Sequence, residues 1–249
     1  MIPRSLASGC ALVLVTVGSL LGCSTALTQL NAEQALGLKQ AQRIADQVTK
    51  AYGVPGVRIY ASAAPGLGGR AAGTYSYRNG WIFLRSSALT APRFFVVLSH
   101  ELGHATLDHR PIDFRIPYQD VLKAFQTGQD VAMPAEVRRE IARKENEANH
   151  RGVEILVRFF GQTQEQALEH YTTYFIEASL SRGGRNILMP FGQALPCEQL
   201  EALWASFGKA APPCEASTIA PKITECPYDD WMSTGCKAGQ PLDQTPTKE

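Results

Sequence analysis

An imbalance of charge is the first thing this sequence lacks. Across 249 residues, 24 Lys and Arg stand against 23 Asp and Glu, a net +1, and charged residues make up only 19%. No basic field is available to hold a phosphate backbone, so nucleic acid is excluded as an expected partner. Long apolar runs are missing as well: past the first two dozen residues, none is long enough to cross a bilayer. Internal repeats are absent, and cysteine is scarce at six residues. What is present in quantity is apolar side chain, 45% of the total. That share supports a buried core and excludes disorder for most of the chain. The length suits one domain, or one domain with an appendage.

Arg4, the apolar Ala11–Val17 and the small residues that follow have the layout of an export signal over residues 1–22. Leu20-Leu21-Gly22-Cys23 resembles the lipobox of bacterial lipoproteins. The resemblance implies cleavage before Cys23, acylation on it, and an N-terminal lipid anchor in the membrane. Ser24 in the next position implies sorting to the outer membrane, facing the periplasm. Cys10 leaves with the signal, and four cysteines remain: Cys197, Cys214, Cys226 and Cys236. In a compartment that permits oxidation these are candidates for two disulfides, with all three connectivities open. A zinc knot competes poorly, because no close Cys-x-x-Cys pair exists.

Residues 23–30 read as a tether. Asn31 caps an expected helix to about Tyr52, with Leu36, Ile44 and Val48 on its apolar side and Gly53 as its stop. Val57–Ala61 reads as a strand and Pro65–Gly69 as a loop. Thr74–Arg78 and Trp81–Arg85 flank Asn79-Gly80, the signature of a hairpin with a two-residue turn. Thr90, with Pro92 in the first turn, is expected to cap a helix reaching about Leu107. Residues 111–133 read as a loop with one short helix. Pro134 opens a long charged helix to Phe160-Gly161, and Thr163 caps another that fades at Ser181–Gly184. A short helix follows Pro196 and ends at Gly208. The expected architecture is α+β and helix-rich, with a small N-terminal sheet, a domain over 31–208, and a Cys- and Pro-rich, disulfide-bearing extension over 209–249.

His100-Glu101-Leu102-Gly103-His104 carries the chemistry. Two histidines four apart on a helix lie on one face, one turn above each other, so both imidazoles can reach one metal ion. Glu101 sits beside that face, placed to act as general base on a metal-activated water. Two imidazoles leave zinc short of a third protein ligand. A third His six residues beyond His104 is excluded, since Arg110 occupies that position. His109 is expected at the helix end, pointing elsewhere. The remaining source is Lys144-Glu145-Asn146-Glu147-Ala148-Asn149. Glu145 and Asn149 are one turn apart, so Glu145 can bind metal while Asn149 accepts an imidazole N–H, and small Ala148 allows a close helix approach. Glu147 is the alternative third ligand; otherwise it pairs with Arg143 or Arg151. His150 lies off the shared face.

With these motifs the chain resembles the gluzincin metallopeptidases, which pair H-E-x-x-H with E-x-x-A-D on a later helix. The CAAX-prenyl-protease and HtpX-like peptidases, with periplasmic lipoprotein relatives, give the closest pattern. His109 fits their H-E-[IL]-G-H-x-x-x-x-H extension, and the resemblance covers about residues 75–160. It implies a zincin-like fold, one Zn²⁺ per chain on His100, His104 and Glu145, and Glu101 as base. Asn149 replaces the usual Asp, as in the E-x-E-A-N motif of ImmA/IrrE-like metallopeptidases. No His-Pro and Arg element of the prenyl-protease type is evident; His170, Tyr171, Tyr174 and Arg185 lie where an oxyanion-stabilising group could arise.

The expectation is therefore a zinc endopeptidase of the bacterial envelope acting on a protein or peptide substrate. Trp81–Arg85, as an edge over the zinc helix, would bind substrate as an added strand. One alternative is a lipoprotein that uses its zinc domain for binding or chaperoning in envelope assembly. Another is a structural zinc site, completed by His109 or His150 as a fourth ligand.

Overall fold

A computed structural model of the chain describes residues 29–63, 72–91, 94–112, 119–120, 133–180 and 195–215. The export signal, Cys23, the 65–69 loop, Pro92, most of the 111–133 segment, Arg185, Cys226 and Cys236 lie outside the described residues. Helix α1 spans Ala32–Tyr52 and starts on a reciprocal cap. The Asn31 side chain accepts from the Gln34 backbone, and the Gln34 side chain accepts from the Asn31 backbone. Gly53, at φ 66°, ends it in the left-handed region. Ala41, Ile44, Ala45 and Val48 form its buried stripe. Leu36, expected on that stripe, is instead 42% exposed.

Three strands follow: β1 (Arg58–Ser62), β2 (Gly73–Ser76) and β3 (Trp81–Arg85). The sheet order is β1-β3-β2, with β1 parallel and β2 antiparallel to β3. Trp81–Arg85 is thus the central strand, which corrects its expected place at an edge. The hairpin is corrected too. Four residues, Tyr77–Gly80, link Ser76 to Trp81, and of these only Gly80 has positive φ, at 63°. A third strand shapes this loop, because the Gly80 carbonyl accepts the Arg58 N–H of β1 at 2.9 Å. The α1 side chain of Gln42 occupies the outer edge of β1, donating to the Val57 carbonyl and accepting from the Ile59 N–H, both at 2.9 Å. Ile59, Ile82 and Leu84 face the core, while Tyr60, Trp81 and Phe83 cluster on the opposite face.

The chain then passes through a short 3-10 turn, Ser86–Ala88, into α2 (Phe94–Thr106). The helix is described from Phe94, whose N–H bonds to the Ala91 carbonyl at 3.0 Å; the expected first turn at Pro92 lies outside the described residues. Helix α3 (Ala135–Phe160), α4 (Gln164–Leu180) and α5 (Pro196–Ser206) complete the described elements. Thr163 caps α4 through a reciprocal pair with Gln166. The result is α+β and helix-rich, with five helices, one small sheet and a Cys197–Cys214 disulfide among the described residues. None of the described helices is long and apolar enough to cross a membrane.

Helix α2 is the centre of the packing. Phe94, Val96, Val97, Leu98, Leu102 and Ala105 are buried among α1, the sheet, α3 and α4. Against α3 it packs with almost no space. A Cβ on Gly103 would lie 2.5 Å from the Ala148 carbonyl oxygen and 3.0 Å from the Ala148 Cα. Those atoms are backbone and cannot swing aside, so only Gly fits here. A second close approach lies one turn along α3, where a Cβ on Gly152 would overlap the Tyr171 hydroxyl. That hydroxyl is already paired with Ser99 Oγ at 3.1 Å inside the core.

Gly103→Ala is expected to force α2 and α3 apart and lower stability by at least ~2 kcal/mol, the order found for overpacked cores. Urea unfolding of the metal-free protein checks this, and a change within ~0.5 kcal/mol would contradict the tight helix contact.

Candidate metal centre

The helix contact at Gly103 and Ala148 sets where the polar groups meet. His100 and His104 project from α2, one turn apart, and Glu145 comes from α3, three residues before Ala148. Their ligand atoms lie within 4.8 Å of one another and form a group able to hold a metal ion. Nε2 of His100 is 3.2 Å from Nε2 of His104. Glu145 places Oε2 3.4 Å from His100 Nε2 and Oε1 3.6 Å from His104 Nε2. A tetrahedral zinc with bonds of about 2.0–2.1 Å separates neighbouring donors by about 3.3 Å. The three spacings are close to that length, with Glu145 facing the two rings through different oxygens.

The hydrogen bonds behind the rings decide which nitrogens face inward. His100 Nδ1 lies 2.8 Å from Asn149 Oδ1, an acceptor, so Nδ1 carries a proton, and in the neutral ring that a metal binds Nε2 presents the lone pair. His109 Nε2 lies 3.1 Å from a Glu147 carboxylate oxygen, so it donates there and its Nδ1 is left as an acceptor. His104 Nδ1, 2.9 Å from that Nδ1, is then the donor, and its Nε2 also presents a lone pair. With both rings neutral, two lone pairs and a carboxylate converge on one region. One proton there relieves only part of that repulsion, whereas a divalent cation satisfies all three donors. The chemistry of the donor set therefore fits zinc, with its preference for imidazole nitrogen and carboxylate oxygen.

The ionisation of these groups follows the same geometry. Burial disfavours charge on His100, but the hydrogen bond and the charge of Glu145 overcome it and raise its pKa to about 9. Burial pushes His104 down to about 3 against the pull of Glu145, with the charges of His100 and His109 adding to the decrease. Burial would raise Glu145, yet the imidazoles of His104 and His100 hold it down at about 2. Burial also lowers His109 in spite of Glu147, consistent with the neutral ring its hydrogen bonds require. The His100, His104 and Glu145 side chains stay 20%, 14% and 15% exposed, so the cluster can be reached from solvent.

Glu101 stands beside the donors and is 6% exposed. Burial raises its pKa to about 7, with the charge of His100 and a hydrogen bond from the Tyr75 backbone acting against that rise and the Glu145 charge adding to it. Strand β2 closes over it: a Cβ on Gly73 would lie 2.9 Å from both Cγ and Oε1 of Glu101. The strand beside Glu101 is therefore β2, not Trp81–Arg85.

Other sequence candidates have different places. Glu147 is not among the three donors; it pairs with Arg143 at 2.6 Å and with His109 at 3.1 Å. His109 does not point away, as its position along the helix suggests. Asp108, at φ 52°, takes the left-handed conformation after α2, and the His109 N–H bonds back to the His104 carbonyl at 3.1 Å. This reversal returns the His109 ring to His104. An Asp just past a helix, tolerant of that conformation, is the local signal that could have revealed it. His150 stacks on Phe207 at 4.2 Å and meets Ser206 Oγ at 2.8 Å, so it belongs to the α3–α5 contact. His170 meets Phe95 edge-on at 4.8 Å, Tyr171 bonds Ser99, and Tyr174 packs on Phe175. Gln199 of α5, whose side-chain oxygen lies 3.3 Å from Asn149 Nδ2, was not legible as part of the site: 50 residues separate the two.

Comparison with models of known families, with curated proteins and with solved structures returned no match.

Glu145→Ala is expected to abolish stoichiometric zinc binding, whereas Glu147→Ala keeps one zinc per chain with affinity lowered by about tenfold, through His109. Metal content and chelator competition on the purified proteins check both. Loss of zinc in Glu147→Ala alone would reverse the assignment.

Proposed function

We propose that the protein is a zinc-dependent peptidase of the bacterial envelope, with His100, His104 and Glu145 as metal ligands and Glu101 as general base. The observation that carries this reading is Glu101: a buried carboxylate with its pKa raised to about 7, outside the donor triad yet beside it. A structural site has no use for such a group, and three protein donors leave a tetrahedral ion one position for water or substrate. Bound there, zinc would act as a Lewis acid towards a water and a carbonyl.

The remaining steps belong to the chain. Glu101, tuned towards neutral pH, is suited to take a proton from the attacking water and deliver it to the leaving amine. The Tyr75 backbone hydrogen bond holds its carboxylate in place. Asn149 and His109 face the Nδ1 atoms of His100 and His104, so each neutral imidazole turns its Nε2 lone pair towards the metal position. Among the described residues, substrate as an added strand fits β2, the outer strand beside Glu101, because Gln42 already occupies the outer edge of β1. The envelope location is supported by the lipobox-like Leu20–Cys23 and by the Cys197–Cys214 disulfide, which suits an oxidising compartment.

Glu101→Gln is expected to keep zinc and lower turnover of an unstructured protein substrate such as casein by ~10²–10⁴-fold. Undiminished hydrolysis by the Gln variant would remove Glu101 from the chemistry. Zinc-loaded wild-type protein without hydrolysis of any peptide would favour the binding or chaperone reading.

A further inference from the structure

The resemblance places Asp at the position that Asn149 occupies, and this difference creates a problem that an Asp would not have. Either oxygen of a carboxylate accepts the His100 Nδ1–H, so an Asp works whichever way it is turned. An Asn has two unlike ends. With Oδ1 towards His100, the ring keeps its proton on Nδ1 and offers the Nε2 lone pair. Turned by 180°, the amide would present an N–H to Nδ1. The ring proton would then move to Nε2, between His104 and Glu145, where it occupies the lone pair that a metal needs.

We infer that Gln199 is the positioning residue that holds Asn149 in the metal-competent orientation, and so selects the His100 tautomer. This rests on the zinc reading proposed above. Asn149 Nδ2 donates to Gln199 Oε1 at 3.3 Å, while Asn149 Oδ1 faces His100 Nδ1 at 2.8 Å. Asn149 is 1% exposed and Gln199 7%, so water is poorly placed to replace either partner. Turning Asn149 alone would set its oxygen against the Gln199 oxygen and leave its amino group without this acceptor. Turning both amides would also reverse the buried Gln199 amide relative to the rest of its surroundings.

The location of Gln199 suits the task. It lies in the first turn of α5, two residues after Cys197, and the Cys197–Cys214 disulfide ties that turn to the segment after the helix. Leu200 and Leu203 anchor the same helix in the core. The orienting oxygen thus comes from a third helix, with anchors of its own besides its contact with α3.

The test is zinc affinity by chelator competition on the full folded chain in four forms: wild type, Gln199→Met, Asn149→Asp, and the double variant. Met is close to Gln in size and lacks the acceptor. With Asn149 in place, Gln199→Met is expected to weaken zinc about tenfold, within the range for residues supporting a metal ligand. In the Asn149→Asp background the same substitution is expected to change affinity less than about threefold, because a carboxylate needs no orienting partner. Equal losses in both backgrounds would show a merely structural role, and no loss in either would remove the role altogether; each overturns the inference. Wild-type protein that binds no zinc would instead defeat the metal reading itself. Gln199→Glu supplies an independent arm should the Met variant not fold. It keeps an obligatory acceptor, so zinc affinity equal to or above wild type is expected, and a tenfold loss overturns the inference.

Discussion

The contact between Gly103 and Ala148 is the constraint on which the rest depends. Two helices can bring side chains from distant segments to one ion only if their axes approach closely enough for short reach from both. Here the approach is limited by backbone, since a single Cβ on Gly103 would meet the Ala148 carbonyl oxygen. Residue 103 lies inside the H-E-x-x-H turn and residue 148 inside the segment that carries Glu145 and Asn149. The packing contact and the donor cluster are therefore the same place seen from two sides. Glycine lowers helix propensity, and a helix that keeps one here gains the separation its neighbour requires.

Around that contact the polar groups form a graded shell. The three donors meet at distances of 3.2 to 3.6 Å. Behind them, each imidazole is held by one hydrogen bond that sets its tautomer: His100 by Asn149, and His104 by His109. Behind those stand Gln199 and Glu147, from α5 and from the outer face of α3. Burial would push each donor towards its neutral form, and the mutual attraction of carboxylate and imidazole opposes this. Glu101 has less of that compensation, which is why its carboxyl titrates near neutrality while Glu145 stays ionised.

How far the sequence could be read depended on whether the signal was local. Helix α1 was legible at both ends because Asn31, Gln34 and Gly53 act within their own turns. The four-residue period placed His100 with His104 and Glu145 with Asn149, and the structure keeps both pairings. Asn79-Gly80 misled, because the loop it belongs to is shaped by β1 through the Gly80 carbonyl. Leu36 misled for a similar reason: where a helix face meets a neighbour is not written in its own period, and Leu36 lies on the exposed part of α1.

By itself, then, the sequence determined the helix-rich α+β character, the two segments that carry the clustered donors and the carboxylate next to the first histidine, all written in spacing along single helices. The tertiary structure decided which acid joins the histidines, which strand lies at Glu101, and which residues fix the imidazole tautomers. Each of these depends on distances between elements far apart in the chain. Periodicity gives the direction a side chain takes from its own helix axis, but where two axes meet is settled by the packing of the whole core.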